Sequence, residues 1–322
     1  MGLSRSIHRS KIRVETGMTN HLTEKEGLCA LCQKKSTLRE SHIIPKLVID
    51  WLKKTSGTGH IRRSETPNLR VQDGCKIPLL CQDCEQLFGG WEKHFAEDIF
   101  IPLHKNPESR VSYGPWLEKF AVSVSWRVGT LFKNMSSISH LPTKLVHATE
   151  QSLQTWGEFL LNLRSDPGRF EQHLLPWDAI VNRTDKDIPA NINRFLLRAV
   201  DRNVGYTEEE AFVYAKMCRI VLIGFIEIPY PRRWKGTKLN VNAGWVGGKV
   251  HYKLPVRFWE FLKDRAREMA RANAGISKRQ KDKIKKDYFR RDLDEVVESE
   301  SFRALHQDVL LFGEDAFKET GD

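Results

Sequence analysis

Two cysteine pairs constrain the fold more than any other feature of this sequence. Cys29 and Cys32 form the first pair, and Cys81 and Cys84 form the second, with 48 residues between them. Two intervening residues let one tight turn aim both sulfurs at a single ion, and two such turns complete a tetrahedral four-thiolate site. A thioredoxin-type pair would be single, and haem attachment would require histidine after the second cysteine. The spacing therefore predicts structural zinc, with a coincidental set of cysteines as the alternative.

The composition bounds the partners and the compartment. The chain has 322 residues and a formal net charge of +11, which favours a polyanionic partner, with nucleic acid ahead of an anionic membrane surface. The two cysteines outside the pairs, Cys75 and Cys218, show no disulfide framework, so we expect a reducing, cytoplasmic location. The longest apolar run, residues 220–226, is too short to cross a bilayer, and we expect no membrane association.

Changes in pattern along the chain divide it into four parts. Residues 1–27 are polar and basic and are expected to form a flexible arm. Residues 28–110 contain the cysteine pairs and form the zinc module, and residues 111–276 show the periodicity of a mostly helical domain. Residues 277–322 form a basic helix and a C-terminal segment, whose residues 278–291 carry eight basic side chains against two acidic ones.

Several elements of the long central part can be predicted individually. Apolar residues at helical spacing predict helices over residues 117–132 and 153–163. The capping-box pattern of residues 207–210 predicts a helix that starts at Ala211. Residues 237–253, with two glycines in the middle, predict a β-hairpin. Pro255 predicts the start of a further helix that ends near residue 272.

The residues between the cysteine pairs include a histidine with possible chemistry. His42 follows Glu40 and Ser41 and precedes Ile-Ile-Pro, on a strand held between the two halves of the zinc site. An imidazole titrates near neutrality, so a rigidly held histidine can take a proton from water. Such water can attack a phosphodiester if a divalent cation neutralises the developing charge, and Glu85 offers a hard oxygen ligand. A buried, hydrogen-bonded structural histidine is the alternative.

These motifs together resemble the HNH endonucleases of the zinc-stapled ββα-metal type. The resemblance rests on C-x2-C, then S-H-I-I-P, then L-L-C-x2-C-E, and it covers about residues 28–100. It implies an α+β fold in which a small zinc-bound ββα module precedes a mostly α-helical C-terminal region with a short β-hairpin. By this resemblance His42 is the general base and Glu85 stands at the helix metal position. The family's activity requires a catalytic divalent cation, for which Mg²⁺ or Mn²⁺ is expected.

The sequence departs from the family pattern at three positions. Ser41 stands where the family has a carboxylate or imidazole ligand, and Glu40 could replace it after a change of register. Glu85 stands where the family usually has histidine. Lys76 stands where the family has the asparagine that steadies the base, and Asn68, further upstream, could serve on a longer hairpin.

The basic side chains are candidates for contact with nucleic-acid phosphates, which supply most of the affinity of such interfaces. In the zinc module and the C-terminal segment these candidates are Lys46, Arg62, Arg63, Lys278, Arg279, Lys281, Lys285 and Lys286. Ordinary solvated surface charge is the alternative for each of them.

The sequence thus predicts a metal-dependent endonuclease that hydrolyses phosphodiester bonds in DNA. Free-standing HNH-like proteins with helical extensions are associated with defence against foreign DNA, which suggests the same role here. The alternative is an inactive zinc-dependent module that binds nucleic acid or protein. A third hypothesis is a nuclease centre completed by a protein partner or by a second copy of the chain.

Overall fold

The computed structural model describes residues 25–135, 142–183, 185–228, 230–248 and 252–318. Most of the basic arm predicted for residues 1–27 lies outside these ranges. Its last three residues belong to the first strand, so the folded chain begins before the predicted boundary.

The first third of the chain is a small sheet with a hairpin and helices attached. Its elements are β1 (Lys25–Leu28), β2 (Lys35–His42), α1 (Lys46–Lys54), β3 (Ile61–Arg63), β4 (Thr66–Val71), β5 (Lys76–Leu80), α2 (Gln82–His94), a π-helical stretch (Phe95–Phe100) and α3 (Ile101–Lys105). Strands β1, β2 and β5 form one antiparallel sheet in that order, while β3 and β4 form a separate hairpin. Pro45 lies between β2 and α1, because it cannot donate to a strand ladder but is tolerated at the start of a helix.

The remainder of the described chain is mixed α and β. Its elements are β6 (Arg110–Tyr113), α4 (Trp116–Asn134), α5 (Thr143–Leu160), β7 (Gln172–Pro176), α6 (Ile192–Arg198), β8 (Val200–Tyr206), β9 (Ala211–Met217), β10 (Ile220–Glu227), β11 (Gly244–Gly247), α7 (Val256–Ala274), α8 (Lys278–Phe289), α9 (Leu293–Glu298) and α10 (Glu300–Phe312). Helices α4 and α7 confirm the predictions made from periodicity and from Pro255, while α5 begins ten residues before the helix predicted over 153–163 and ends before Leu163.

A four-stranded antiparallel sheet, in the order β7-β10-β9-β8, lies at the centre of the region predicted to be mostly helical. Successive side chains of a strand point to opposite faces of its sheet. Those of β9 alternate accordingly between a core shared with α4 and α5 and a core shared with α6 and α7. Both faces of the sheet are therefore covered by helices. The prediction of a mostly α-helical region was wrong in missing this sheet.

The helix predicted from Ala211 is instead strand β9. Thr207 does accept hydrogen bonds, through Oγ1, from the backbone N–H groups of Glu209 and Glu210, at 3.3 and 3.0 Å. These bonds close the turn between β8 and β9 and do not cap a helix. Every residue of β9 is buried, so the apolar run has no polar face from which its period could be read.

Among the described residues of the segment 237–253, which leave out 249–251, no strand pairs with another strand of the same segment, as the predicted hairpin required. Strand β11 pairs instead with β6, which lies more than 130 residues earlier in the chain, and Trp245 stands opposite Ser112. Gly247 has a φ of 79°, and a side chain there would clash with the carbonyl oxygen of Ser109. The two glycines thus mark a close approach of the backbone to a distant segment.

The zinc module is not separate from the rest of the protein. One hydrophobic core runs from the cysteine-bearing segments through α2 and the π-helical stretch into α4, α5 and the central sheet. Phe95 stacks on Phe120 of α4 with ring centroids 3.9 Å apart, and Phe88 meets Trp126 edge to face. The core therefore crosses the predicted boundary at residue 110. Within the described ranges, no helix combines the length and the apolar character needed to cross a membrane.

Candidate metal centre and active site

The four paired cysteines meet at one point between the sheet and α2. Their sulfur atoms all lie within 4.8 Å of one another, and the Sγ atoms of Cys32 and Cys81 are 3.7 Å apart. Zinc–sulfur bonds of about 2.3 Å in a tetrahedron place neighbouring sulfurs ~3.8 Å apart, so the cluster has the dimensions of one zinc site. Four close cysteines can therefore hold a structural metal such as zinc.

Local backbone geometry explains how the cluster forms. The first pair lies in the turn between β1 and β2, where Gln33 adopts a φ of 59° and Cys29 donates its N–H to the carbonyl of Lys34. The second pair straddles the start of α2, with Cys81 immediately before the first turn and Cys84 within it. The Ala30 N–H donates to the carbonyl of Leu79 at 2.9 Å and so ties the two turns together.

Ser41 and Glu85 meet directly beside this cluster. Ser41, near the end of β2, is fully buried, and its hydroxyl donates to Oε2 of Glu85 at 2.7 Å. A bulge between Arg39 and Glu40 shifts the register of β2 against β5 and turns the Ser41 side chain toward α2. The serine hydroxyl thus fixes one oxygen of the Glu85 carboxylate. Strand position 41, where the family resemblance places a metal ligand, and helix position 85 lie within hydrogen-bonding distance of each other.

The His42 ring forms a hydrogen bond with Asp73, a residue that the sequence patterns did not identify. Its Nε2 lies 2.8 Å from Oδ1 of Asp73, and the same oxygen accepts the backbone N–H of Gly74. Partial burial opposes ionisation of Asp73, but the hydrogen bonds from His42, Gly74 and Lys76 lower the pKa of Asp73 to about 2. An ionised carboxylate only accepts, so the neutral imidazole carries its proton on Nε2. Its basic nitrogen is therefore Nδ1.

The signal for Asp73 was weak in the sequence. An aspartate before glycine is a common turn pair, and nothing in its spacing links it to His42, which is 31 residues away. The contact arises because β5 pairs with β2 in antiparallel register and brings the turn before β5 to the end of β2.

Two residues considered for the site lie elsewhere. Glu40 pairs with Lys76 at 3.4 Å on the exposed side of the sheet, whereas its neighbour Ser41 points to α2. The Asn68 amide donates a hydrogen bond to the carbonyl of Gly275 and accepts one from the N–H of Ser277. It therefore holds the start of α8 against the β3–β4 hairpin. Neither side chain contacts His42 or Glu85 among the contacts that the described residues make.

A buried arginine of α4 donates a hydrogen bond to the backbone of His42. Arg127, whose side chain is only 2% exposed, donates to the backbone carbonyl of His42 at 2.8 Å and pairs with Glu92 at 2.7 Å. Its remaining donors reach Ser123, and its guanidinium lies over the ring of Phe88. No local pattern indicated that a helix more than 80 residues later in the chain would hold the backbone at His42.

Replacing Arg127 with methionine is expected to destabilise the fold by about 3 kcal/mol, because it leaves the mostly buried Glu92 carboxylate without its partner. Urea unfolding measures this loss. The double variant Arg127→Met/Glu92→Met should recover most of it. A double variant as unstable as the sum of both single changes would show that the two groups are not coupled.

The candidate phosphate-binding residues fall into two settings. Lys46 pairs with Asp50, while Arg63 donates to the carbonyl of Gly74 and Arg62 to Gln280 of α8. The candidates on α8 lie on its exposed side, apart from the half-buried Lys281: these exposed residues are Lys278, Arg279, Lys285 and Lys286. The fold therefore brings the basic C-terminal helix onto the zinc module, although some 200 residues separate them in sequence.

No protein-family model, curated protein or solved structure matches the chain. In the part of the chain that the structure describes, the four cysteines are the group of three or more metal-ligating side chains whose ligand atoms converge. The carboxylates around His42 form no second cluster of this kind.

Proposed function

We propose that the protein is a zinc-stapled, HNH-like endonuclease that hydrolyses nucleic-acid phosphodiester bonds, with DNA as the expected substrate. The observation that carries the proposal is the His42–Asp73 pair at the end of β2, one residue from the Ser41–Glu85 contact on the zinc-anchored helix. An imidazole held by an ionised carboxylate suits activation of water near a charged phosphate, and Ser41, which donates to the Glu85 carboxylate, is the sequence neighbour of that imidazole.

In this mechanism Nδ1 of His42 removes a proton from water, and the resulting hydroxide attacks phosphorus. The bond from phosphorus to the leaving oxygen breaks, and that oxygen takes a proton from solvent. Asp73 keeps the ring in the tautomer that leaves Nδ1 free and stabilises the imidazolium that forms. Arg127 fixes the backbone that carries the ring.

Glu85 is the residue that would hold the catalytic divalent cation, through the oxygen that Ser41 does not bond. Mg²⁺ is commonly bound by one or two carboxylates together with water and substrate phosphates, so a site with one oriented carboxylate fits this donor set. When bound, the cation would neutralise charge that develops on the phosphate.

The second candidate function is a zinc module that binds nucleic acid without cleaving it. It is favoured by Ser41, which serves as a donor to Glu85, and by the absence of a converging second ligand cluster among the residues described. In this case the exposed basic residues of α8 would bind nucleic acid, and His42 would only stabilise the fold.

The test is cleavage of supercoiled plasmid and of RNA by zinc-loaded protein in Mg²⁺, in Mn²⁺ and with divalent ions removed. Cation-dependent nicking that disappears in a His42→Ala variant with full zinc content supports the nuclease. Nucleic acid that is bound but left intact in every cation would overturn it in favour of the binding module. Cleavage that persists in His42→Ala would refute His42 as the base.

A further inference from the structure

Helix α8 has two distinct faces. Its inner face packs on the zinc module: Asp287 pairs with Arg70, Tyr288 covers Gly57, and Gln280 accepts from Arg62 at 3.3 Å. Arg291, just after the helix, bonds the carbonyl of Ser56. These contacts recur at the spacing of one helical face and fix which side of α8 is turned to solvent.

The outer face combines positive charge with one bare aromatic ring. Its exposed charged residues are six basic ones and one acidic one: Lys278, Arg279, Lys283, Lys285, Lys286, Arg290 and Asp282. Phe289 is 78% exposed on this face, the largest exposed fraction among the large hydrophobic residues described. The ammonium of Lys285 lies 5.8 Å from the centre of its ring.

An exposed phenylalanine alone carries no implication, since single apolar side chains are common on surfaces. The surrounding charge makes the difference here. Proteins that bind single-stranded nucleic acid combine cations that follow the phosphates with aromatic rings on which bases stack. A duplex keeps its bases stacked inside and offers such a ring no free face. An apolar patch for a protein partner would instead show depletion of charge around its centre.

We propose that the outer face of α8 binds nucleic acid with unpaired bases, with Phe289 stacking on one base and Lys285 and Lys286 holding the adjacent phosphates. The inference rests on the proposed function and deepens it, because it names the substrate as a single strand or a locally melted duplex. It makes Phe289 the residue that separates single-stranded from double-stranded substrate.

A path of contacts joins α8 to the candidate active site. The inner side of α8 rests on the β3–β4 hairpin through Arg62 and Arg70. In the same hairpin Arg63 donates to the carbonyl of Gly74, next to the Asp73 that holds His42. The helix that carries the proposed binding face is therefore fixed, through its inner side, to the hairpin that contacts the turn beside His42.

The test measures the affinity of the full chain for a fluorescently labelled oligonucleotide by anisotropy, as a single strand and as a duplex, in Mg²⁺-free buffer at fixed salt. Phe289→Ala is expected to weaken single-strand binding about 5- to 150-fold, the range reported for loss of one stacked base, and to change duplex binding less than about two-fold. Phe289→Trp should restore single-strand affinity, because it keeps a stacking ring. Leu293→Ala, which removes an equally exposed apolar side chain outside the basic face, should leave both affinities unchanged.

Equal losses for single strand and duplex in Phe289→Ala, or no loss in either, would overturn the inference, as would failure of the wild-type chain to bind single strands. Failure of the proposed function is a separate result. It appears as a wild-type protein that binds single strands through Phe289 but cleaves nothing in any cation. Conversely, cleavage that depends on His42 but not on Phe289 would leave the nuclease standing and remove the role of this face.

Discussion

Replacing Cys84 with serine is expected to abolish zinc binding and to unfold the zinc module. Cys84 is buried in the first turn of α2, and its sulfur is one of four that lie within 4.8 Å. Structural zinc contributes about 10–16 kcal/mol in small zinc-binding peptides, which exceeds the whole stability of a typical domain. Zinc content by elemental analysis, together with near-ultraviolet circular dichroism during heating, measures both effects.

Cys75 provides the matched control, since its sulfur lies outside the four-sulfur cluster and the hydrogen bond that its carbonyl accepts from the Ile43 N–H does not involve the thiol. A Cys75→Ser variant should keep one zinc per chain and melt like the wild type. A Cys84→Ser protein with full zinc content and an unchanged melting temperature would refute the four-thiolate site.

Replacing His42 with alanine is expected to lower the cleavage rate by about 10²- to 10⁴-fold, the contribution of a general base. Asp73→Asn should also lower the rate, because the amide can no longer enforce the tautomer that leaves Nδ1 free. Both variants should retain zinc and bind nucleic acid like the wild type. Single-turnover rates at saturating protein, measured beside His147→Ala on an exposed surface of α5, separate these losses from binding effects.

The dependence of the rate on pH tests the ionisation of Asp73. With a pKa of about 2, Asp73 stays ionised throughout the range in which rates can be measured, so it does not itself produce an acid limb. In Asp73→Asn the rate should therefore fall at every measurable pH, and no limb of the wild-type profile should disappear. Loss of an acid limb in this variant would show that Asp73 itself titrates in that range.

The sequence predicted those features that depend on short spacings. The cysteine pairs identified the four residues that meet, and apolar residues at helical spacing identified α4 and α5, although every residue of α4 from Phe120 to Gly129 is buried. The same local reasoning placed a helix at α8. Short patterns were not sufficient everywhere: the capping-box residues 207–210 precede a strand, and Gly247 belongs to a strand that pairs with β6.

Features that depend on distant pairing could not be read in this way. Asp73 reaches His42 only through the register of β5 on β2, and Arg127 reaches the same residue from a different part of the fold. Strand β9 is buried on both faces, which removes the alternation that distinguishes a strand from a helix. The Asn68 side chain anchors the start of α8, and no local sequence pattern indicates this role.

The hydrogen bond that Arg127 donates to the carbonyl of His42 bears on the order in which the candidate site is assembled during synthesis. During synthesis all four cysteines of the cluster have been made once Cys84 is added, yet Arg127, which holds the His42 backbone, is made later, and the helix that covers the hairpin comes later still. A prematurely terminated chain that ends before Arg127 would contain every cysteine of the cluster but lack the group that holds its candidate catalytic histidine. If the protein cuts nucleic acid as proposed, such an order of assembly would delay its activity until most of the chain exists.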